Sequence, residues 1–136
     1  MRVAAVSLLL AFAVAGCTSQ GTTSSVDKFT NTDQRDVAQK VEDLEDAGKR
    51  NKPDEICSNI LAKNLVNQLD AAGTDCQTEM KKAIEDANDF DLDVEKVTIT
   101  GSTATAEVKR GKDGPTEKME FARENGQWRA TSLSGG

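Results

Sequence analysis

Histidine and tyrosine are absent from the 136 residues, cysteine occurs three times, proline twice, and aromatic side chains make up only 4%. Each scarcity excludes something. Without an imidazole there is no Ser-His-Asp or Cys-His nucleophile pair, no HExxH zinc site and no proton shuttle titrating near neutrality. With 17 Lys and Arg against 23 Asp and Glu, and no basic block, a surface that tracks nucleic-acid phosphates is excluded as well. No metal and no cofactor is expected. The apolar share of 37% is inflated at one end, because residues 3–16 are apolar apart from Ser7 and Gly16. Beyond that stretch Leu, Ile, Val and Phe together fall to about 17%, and without Arg2 the net charge of −6 becomes −7. Such a chain lies at the border where too little surface can be buried to offset chain entropy. A covalent staple, or a part left unfolded, is therefore required.

What is present begins with an address. Arg2 followed by the fourteen residues Val3 to Gly16 is too short for a bilayer-spanning helix of about 20 residues, but suits the apolar region of a signal peptide. Val14-Ala15-Gly16-Cys17 resembles the lipobox of bacterial lipoproteins. The resemblance implies that Val14, Ala15 and Gly16 occupy the signal peptidase and that Cys17 receives a diacylglyceryl thioether and becomes the mature N-terminus. It implies a protein held at the cell membrane by its lipid, on the extracytoplasmic face. Residues 1–16 are thus expected to be the signal peptide. Residues 17–32, rich in Ser and Thr, read as a flexible tether of about 20 Å r.m.s. span, and residues 33–136 as a single domain.

Within that domain the apolar period is first helical. Thr32 or Asp33 can cap a helix carrying Val37, Val41 and Leu44, which Gly48 would end. Pro53 can open a second helix with Ile56, Cys57, Ile60, Leu61, Leu65 and Leu69 on one stripe. Thr74 to Gln77 forms a capping box before a third, with Cys76, Met80, Ala83, Ile84 and Ala87 on one face.

From Val97 the period becomes two. A turn at Gly101-Ser102 pairs Ile99 with Ala104 and Val97 with Ala106, putting every apolar residue on one face. A second turn at Asn125-Gly126 pairs Phe121 with Ala130, Arg123 with Trp128 and Met119 with Ser132. The expected fold is α+β: about three N-terminal helices packed on a curved four-stranded antiparallel sheet, shaped like a cone. Acidic residues outnumber basic ones two to one between Asp33 and Asp93 and balance them afterwards, so the helical layer is the acidic one.

Cys57 and Cys76 lie in an exported chain, where a disulfide persists. A metal site would lack His or further Cys, and the spacing has no CxxC logic of a redox-active pair. A single straight helix would carry Cys57 too far from Cys76, so the segment has to bend, near Ser58-Asn59 where a new helix can be capped. Asp89 to Glu95 places acids at alternate positions like a calcium loop, but Val94 and Thr100 stand where that loop needs Gly and Glu. An inward-facing Phe90, Leu92 and Val94 explains the pattern better.

The lipobox, the Ser/Thr tether, the helices bearing Cys57 and Cys76, the Val97-to-Ala106 hairpin and Asn125-Gly126-Gln127-Trp128 leading to Leu133 together resemble the small actinobacterial lipoproteins of the nuclear transport factor 2-like, or cystatin-like, class. The resemblance covers Gln34 to Leu133. It implies a curved sheet wrapped on helices with a pocket, whose lining here would be Val97, Ile99, Met119, Phe121 and Trp128. Enzymes of the ketosteroid isomerase type share that layout and use pocket carboxylates with Tyr or His. None of the inferred inward positions is ionisable, and fold alone does not confer function. The function expected is non-enzymatic: binding of a small apolar ligand or an envelope partner protein at the mouth of the cone. The alternative is a structural or protein-interaction module without a pocket, using the acidic helices.

Overall fold

The computed structural model describes residues 24–87 and 89–133. Residues 1–16, expected to be a signal peptide, and Cys17 lie outside the described residues. Ser25–Lys28 forms a 3-10 turn, and four helices follow: α1 Thr32–Lys49, the single turn α2 Pro53–Glu55, α3 Lys63–Ala71 and α4 Cys76–Asp86. A sheet of four strands completes the fold: β1 Leu92–Thr100, β2 Thr103–Arg110, β3 Thr116–Glu124 and β4 Gln127–Ser132, antiparallel and in sequence order. The architecture is α+β, with helices against one face of a curved antiparallel sheet.

Helix α1 is the central one. Val37, Ala38, Val41, Leu44 and Ala47 are buried, the i, i+4, i+7 pattern of a helix laid on a sheet. Its N-cap is Asn31, one or two residues earlier than expected, because the Asn31 carboxamide oxygen accepts from the N–H groups of both Asp33 and Gln34. Gly48 does not end the helix. It lies buried inside it, against the ring of Phe90, and the left-handed residue beyond the helix end is Asn51 at φ 53°. A glycine is needed at position 48 for close approach of backbone to ring.

Between α2 and α3 the chain makes a π-helical turn, Ile56–Ile60, and then runs extended through Leu61 and Ala62. The required bend exists, but two to three residues beyond Ser58-Asn59. Ser58 cannot cap a new helix, because its hydroxyl donates back to the Asp54 carbonyl at 2.7 Å. The break occurs where the sheet has an acceptor to offer: the Ala62 N–H donates to the Ala130 carbonyl at 2.8 Å, and Leu61 bridges β4 in parallel. Helix α3 then starts without a cap of its own, and the first-turn N–H of Lys63 donates to the carboxylate of Glu124 on β3.

Cys57 and Cys76 form a disulfide, with Cα atoms 6.1 Å apart, that ties the π turn to the first residue of α4. Asp75 rather than Thr74 caps α4, accepting from both the N–H and the hydroxyl of Thr78, while Thr74 donates to Glu79. Apart from Cys76, no residue of α4 is fully buried.

The hairpin registers follow the alternation. Ile99 pairs with Ala104, Val97 with Ala106, Phe121 with Ala130 and Arg123 with Trp128. Gly101 at φ 59°, and Asn125 and Gly126 at φ 51° and 80°, supply the positive dihedrals that two-residue hairpin turns need. The Met119–Ser132 pairing is corrected. An irregularity after Glu120 sets Glu120 opposite Ser132, while Met119 pairs with Ala106 on the other side. A second irregularity, between Val94 and Lys96, changes the inward phase from Leu92 and Val94 to Val97 and Ile99, so that segments of opposite parity make one strand.

Residues 24–30, expected within the flexible tether, belong to the ordered domain. Ser25 is 8% exposed, and Val26 and Phe29 pack on the core. The domain therefore begins no later than Ser24, not at residue 33.

Two stability predictions follow from this packing. Replacing Cys57 and Cys76 together by Ala removes a crosslink across 19 residues and should lower unfolding free energy by roughly 3 kcal/mol in urea titrations. Gly48→Ala gains up to about 1 kcal/mol of helix propensity but drives a Cβ into Phe90, an overpacking cost of about 1–3 kcal/mol. The expected result is a net loss that changes to a gain when Phe90→Ala is added; a loss of equal size in both backgrounds contradicts the contact.

Candidate functional site

The five residues expected to line a pocket are largely interior. Val97, Met119, Phe121 and Trp128 are at most 3% exposed and belong to the core cluster, and Ile99 packs half-buried at its edge. Of the five, only Met119 borders any of the three cavities described below. Around Trp128 the space is filled. The Arg123 guanidinium lies 4.9 Å from the ring centroid of Trp128 and is ion-paired with Asp33 at the start of α1. The Trp128 indole N–H is buried without a hydrogen-bond partner among the described residues. That omission costs about 1–3 kcal/mol. Burying the 150–250 Å² typical of a large aromatic yields about 4–6 kcal/mol, so packing decides the position of the ring.

An apolar cavity does exist, displaced toward α4. It measures about 270 Å³ and is bounded by Leu44 and Ile56, by Met80, Ala83 and Ile84 of α4 and its C-cap Ala87, by Phe90, Leu92 and Met119, and by Leu133. Arg110 at the end of β2 is its one charged wall, with Nε donating to Glu117 at 2.7 Å. The cavity arises because α4 is held at its first residue by the disulfide while its apolar side stands off the sheet, leaving Met80, Ile84 and Ala87 half-buried. Sequence period identified the apolar face of α4 but not what stood opposite it.

Beside this cavity, across Leu92, is a larger polar cleft of about 830 Å³ between α1, the 3-10 turn and the start of β1. Most of its carboxylates are tied to neighbouring serines or lysines. Ser24 donates to Glu42 at 2.5 Å, and Ser25 donates to Asp93 at 2.9 Å and accepts from the N–H of Val94. Lys28 lies 2.5 Å from Asp93, and Lys49 joins Glu45 to Asp91. The Lys28 ammonium, with the Ser25 hydroxyl, holds the Asp93 carboxyl below the usual aspartate range against the opposing effect of partial burial. Asp91 and then Glu45 raise Lys49 above the usual lysine range. The acids from Asp89 to Asp93 are thereby committed to separate partners, and among the described residues no group of three ligating side chains suits a metal ion.

A third cleft, of about 530 Å³, lies between α3 and the Asn125-Gly126 turn, with Cys57 and Arg129 on its walls. The only polar residue buried among those described is Ser25, so no carboxylate faces the apolar interior there.

Compared with known proteins, the chain matches no family model, no curated protein and no solved structure.

The Lys28–Asp93 link predicts an acid-sensitive attachment of the 3-10 turn. A depressed folded-state pKa contributes stability that is present above the unfolded value, near 3.9, and is lost as pH falls through the folded value. Asp93→Asn should melt below wild type at neutral pH, and the gap should close as pH drops below about 4. A gap that is constant with pH refutes the assignment.

Proposed function

We propose that the protein is a non-enzymatic envelope lipoprotein, anchored through a diacylglyceryl group on Cys17, whose domain takes a small apolar ligand in the cleft between α4 and the sheet. The observation that carries the ligand-binding part is the cleft itself: about 270 Å³, walled almost entirely by aliphatic, Met and Phe side chains, with one arginine at its edge. Apolar walls with few placed polar groups are the usual character of a small-molecule site. The anchor rests on the resemblance of Val14 to Cys17 to a lipobox. We also read the layout, helices before a four-stranded antiparallel meander with an apolar inner face, as that of the nuclear transport factor 2-like class.

A second reading, an interaction module without a ligand, is favoured by the filled space under Trp128 and Ile99 and by the acidic helical layer.

Two variants test these readings. Cys17→Ser should move the protein from the membrane fraction to the soluble one, and unchanged fractionation refutes the anchor. The domain should enhance the fluorescence of cis-parinaric acid. Ala83→Trp, which adds bulk at an exposed position of the cleft wall, should weaken that binding about tenfold without changing the melting temperature. No binding by the wild type overturns the ligand reading in favour of the interaction module.

A further inference from the structure

The length of chain between Cys17 and Ser24 limits how far the cleft can lie from the anchor, which narrows what can enter it; this rests on the lipid-anchored, ligand-binding reading above. Ser24 and Ser25 are clamped to α1 through Glu42 and to β1 through Asp93 and Val94. From Cys17 to Ser24 there are seven Cα steps, so even a fully extended chain reaches no more than about 25 Å. Ser24 is therefore kept within that distance of the anchor, with the start of β1 bonded to the next residue, Ser25.

The same end of the sheet carries the apolar cleft. Leu92, the first residue of β1, separates the polar cleft beside Ser24 from the apolar cleft under α4. Arg110 stands at its edge, with Lys109 and Lys112 on the polar side next to it. Lys112 has no ion-pair partner among the described residues, and Arg110 uses only Nε on Glu117. The Gly101-Ser102 turn lies at the other end of the nine-residue β1, about 27 Å away. The carboxylates of the adjoining cleft are mostly engaged, Glu42 by Ser24, Glu45 and Asp91 by Lys49, and Asp93 by Lys28, whereas Lys112 is unpaired among the described residues. An apolar slot with Arg110 at its edge and within reach of the membrane therefore complements an acyl chain joined to a negative head. Its volume, equal to about nine water molecules at ~30 Å³ each, holds part of one chain.

We propose that the α4 cleft takes the acyl chain of an anionic membrane lipid, drawn from the bilayer in which Cys17 is anchored, with the phosphate of the headgroup against Arg110 and Lys112.

The full-length lipidated protein in phosphatidylcholine vesicles, with or without phosphatidylglycerol, tests this. A diazirine carried on the acyl chain of phosphatidylglycerol should crosslink to α4 at least about fivefold more than the same group on phosphatidylcholine, and Arg110→Gln should remove most of the difference. Ala83→Trp should lower crosslinking from both about tenfold. A fluorophore at Asp113→Cys should be quenched by headgroup spin labels at least about twice as strongly as one at Ser102→Cys, given the ~27 Å between the two ends. Equal crosslinking by the two lipids, crosslinks outside the cleft, or equal quenching at both positions overturns the proposal. Failure to float with the vesicles overturns it at the anchor. Absent bilayer crosslinks with cis-parinaric acid binding retained overturn the lipid source alone, and loss of both overturns the ligand reading beneath it.

Discussion

The bond between Cys57 and Cys76 holds in place an element that apolar burial would not hold alone. Helix α4 buries fully only Cys76, and its remaining apolar side chains stay partly exposed. A helix of eleven residues with so little packing is marginal in water, since most helical stability in proteins comes from a buried face. The crosslink restricts the unfolded chain and fixes the start of α4 against the π turn, so the helix persists at a distance from the sheet. The cleft is a consequence of that arrangement. A tightly packed α4 would need no staple and would leave no cavity.

The sheet shows a related economy at its margins. Open antiparallel sheets expose unpaired backbone groups along their edge strands. On β1 the Leu92 N–H donates to Glu45, the Val94 N–H donates to Ser25, and the Val97 carbonyl accepts from Gln34. On β4 the Ala130 carbonyl accepts from Ala62. Polar side chains of α1 and of the residues before it thus complete a sheet that has only four strands. The acidic character of the helical layer is partly explained by this work: Glu42 and Glu45 of α1 each hold a neighbouring segment in place, as Asp93 does from β1.

The hairpins were the most legible part of the fold, because alternating burial, two-residue turns and cross-strand pairing all constrain the same register. Two irregularities escaped that pattern: the spacing of Leu92, Val94, Val97 and Ile99 breaks parity, so only a bulge joins them into a single strand, and a shift after Glu120 moves Ser132 away from Met119. The helix limits were less legible for a different reason. Gly48 has the residue type of a helix end, but its backbone is reserved for Phe90, a neighbour more than forty positions away. The bend after Cys57 was required by chain geometry, yet its location depends on the Ala130 carbonyl, which local sequence does not reveal. The cleft was hidden for the same cause. Periodicity shows which side of Met80 and Ile84 is apolar, and says nothing of how closely that side approaches Leu133 and Met119.

The clamp at Ser24 and Ser25 also determines how the domain bears force. Tension on the preceding chain enters at these two serines and divides at once between a helix, through Glu42, and a strand, through Asp93 and Val94. Neither hairpin turn nor the disulfide lies on that path. The two elements that receive the load contribute much of the buried core, whereas the serine bonds are few, so a pull at this end peels the segment from Ser24 to Lys28 away from α1 and β1 before it opens the core.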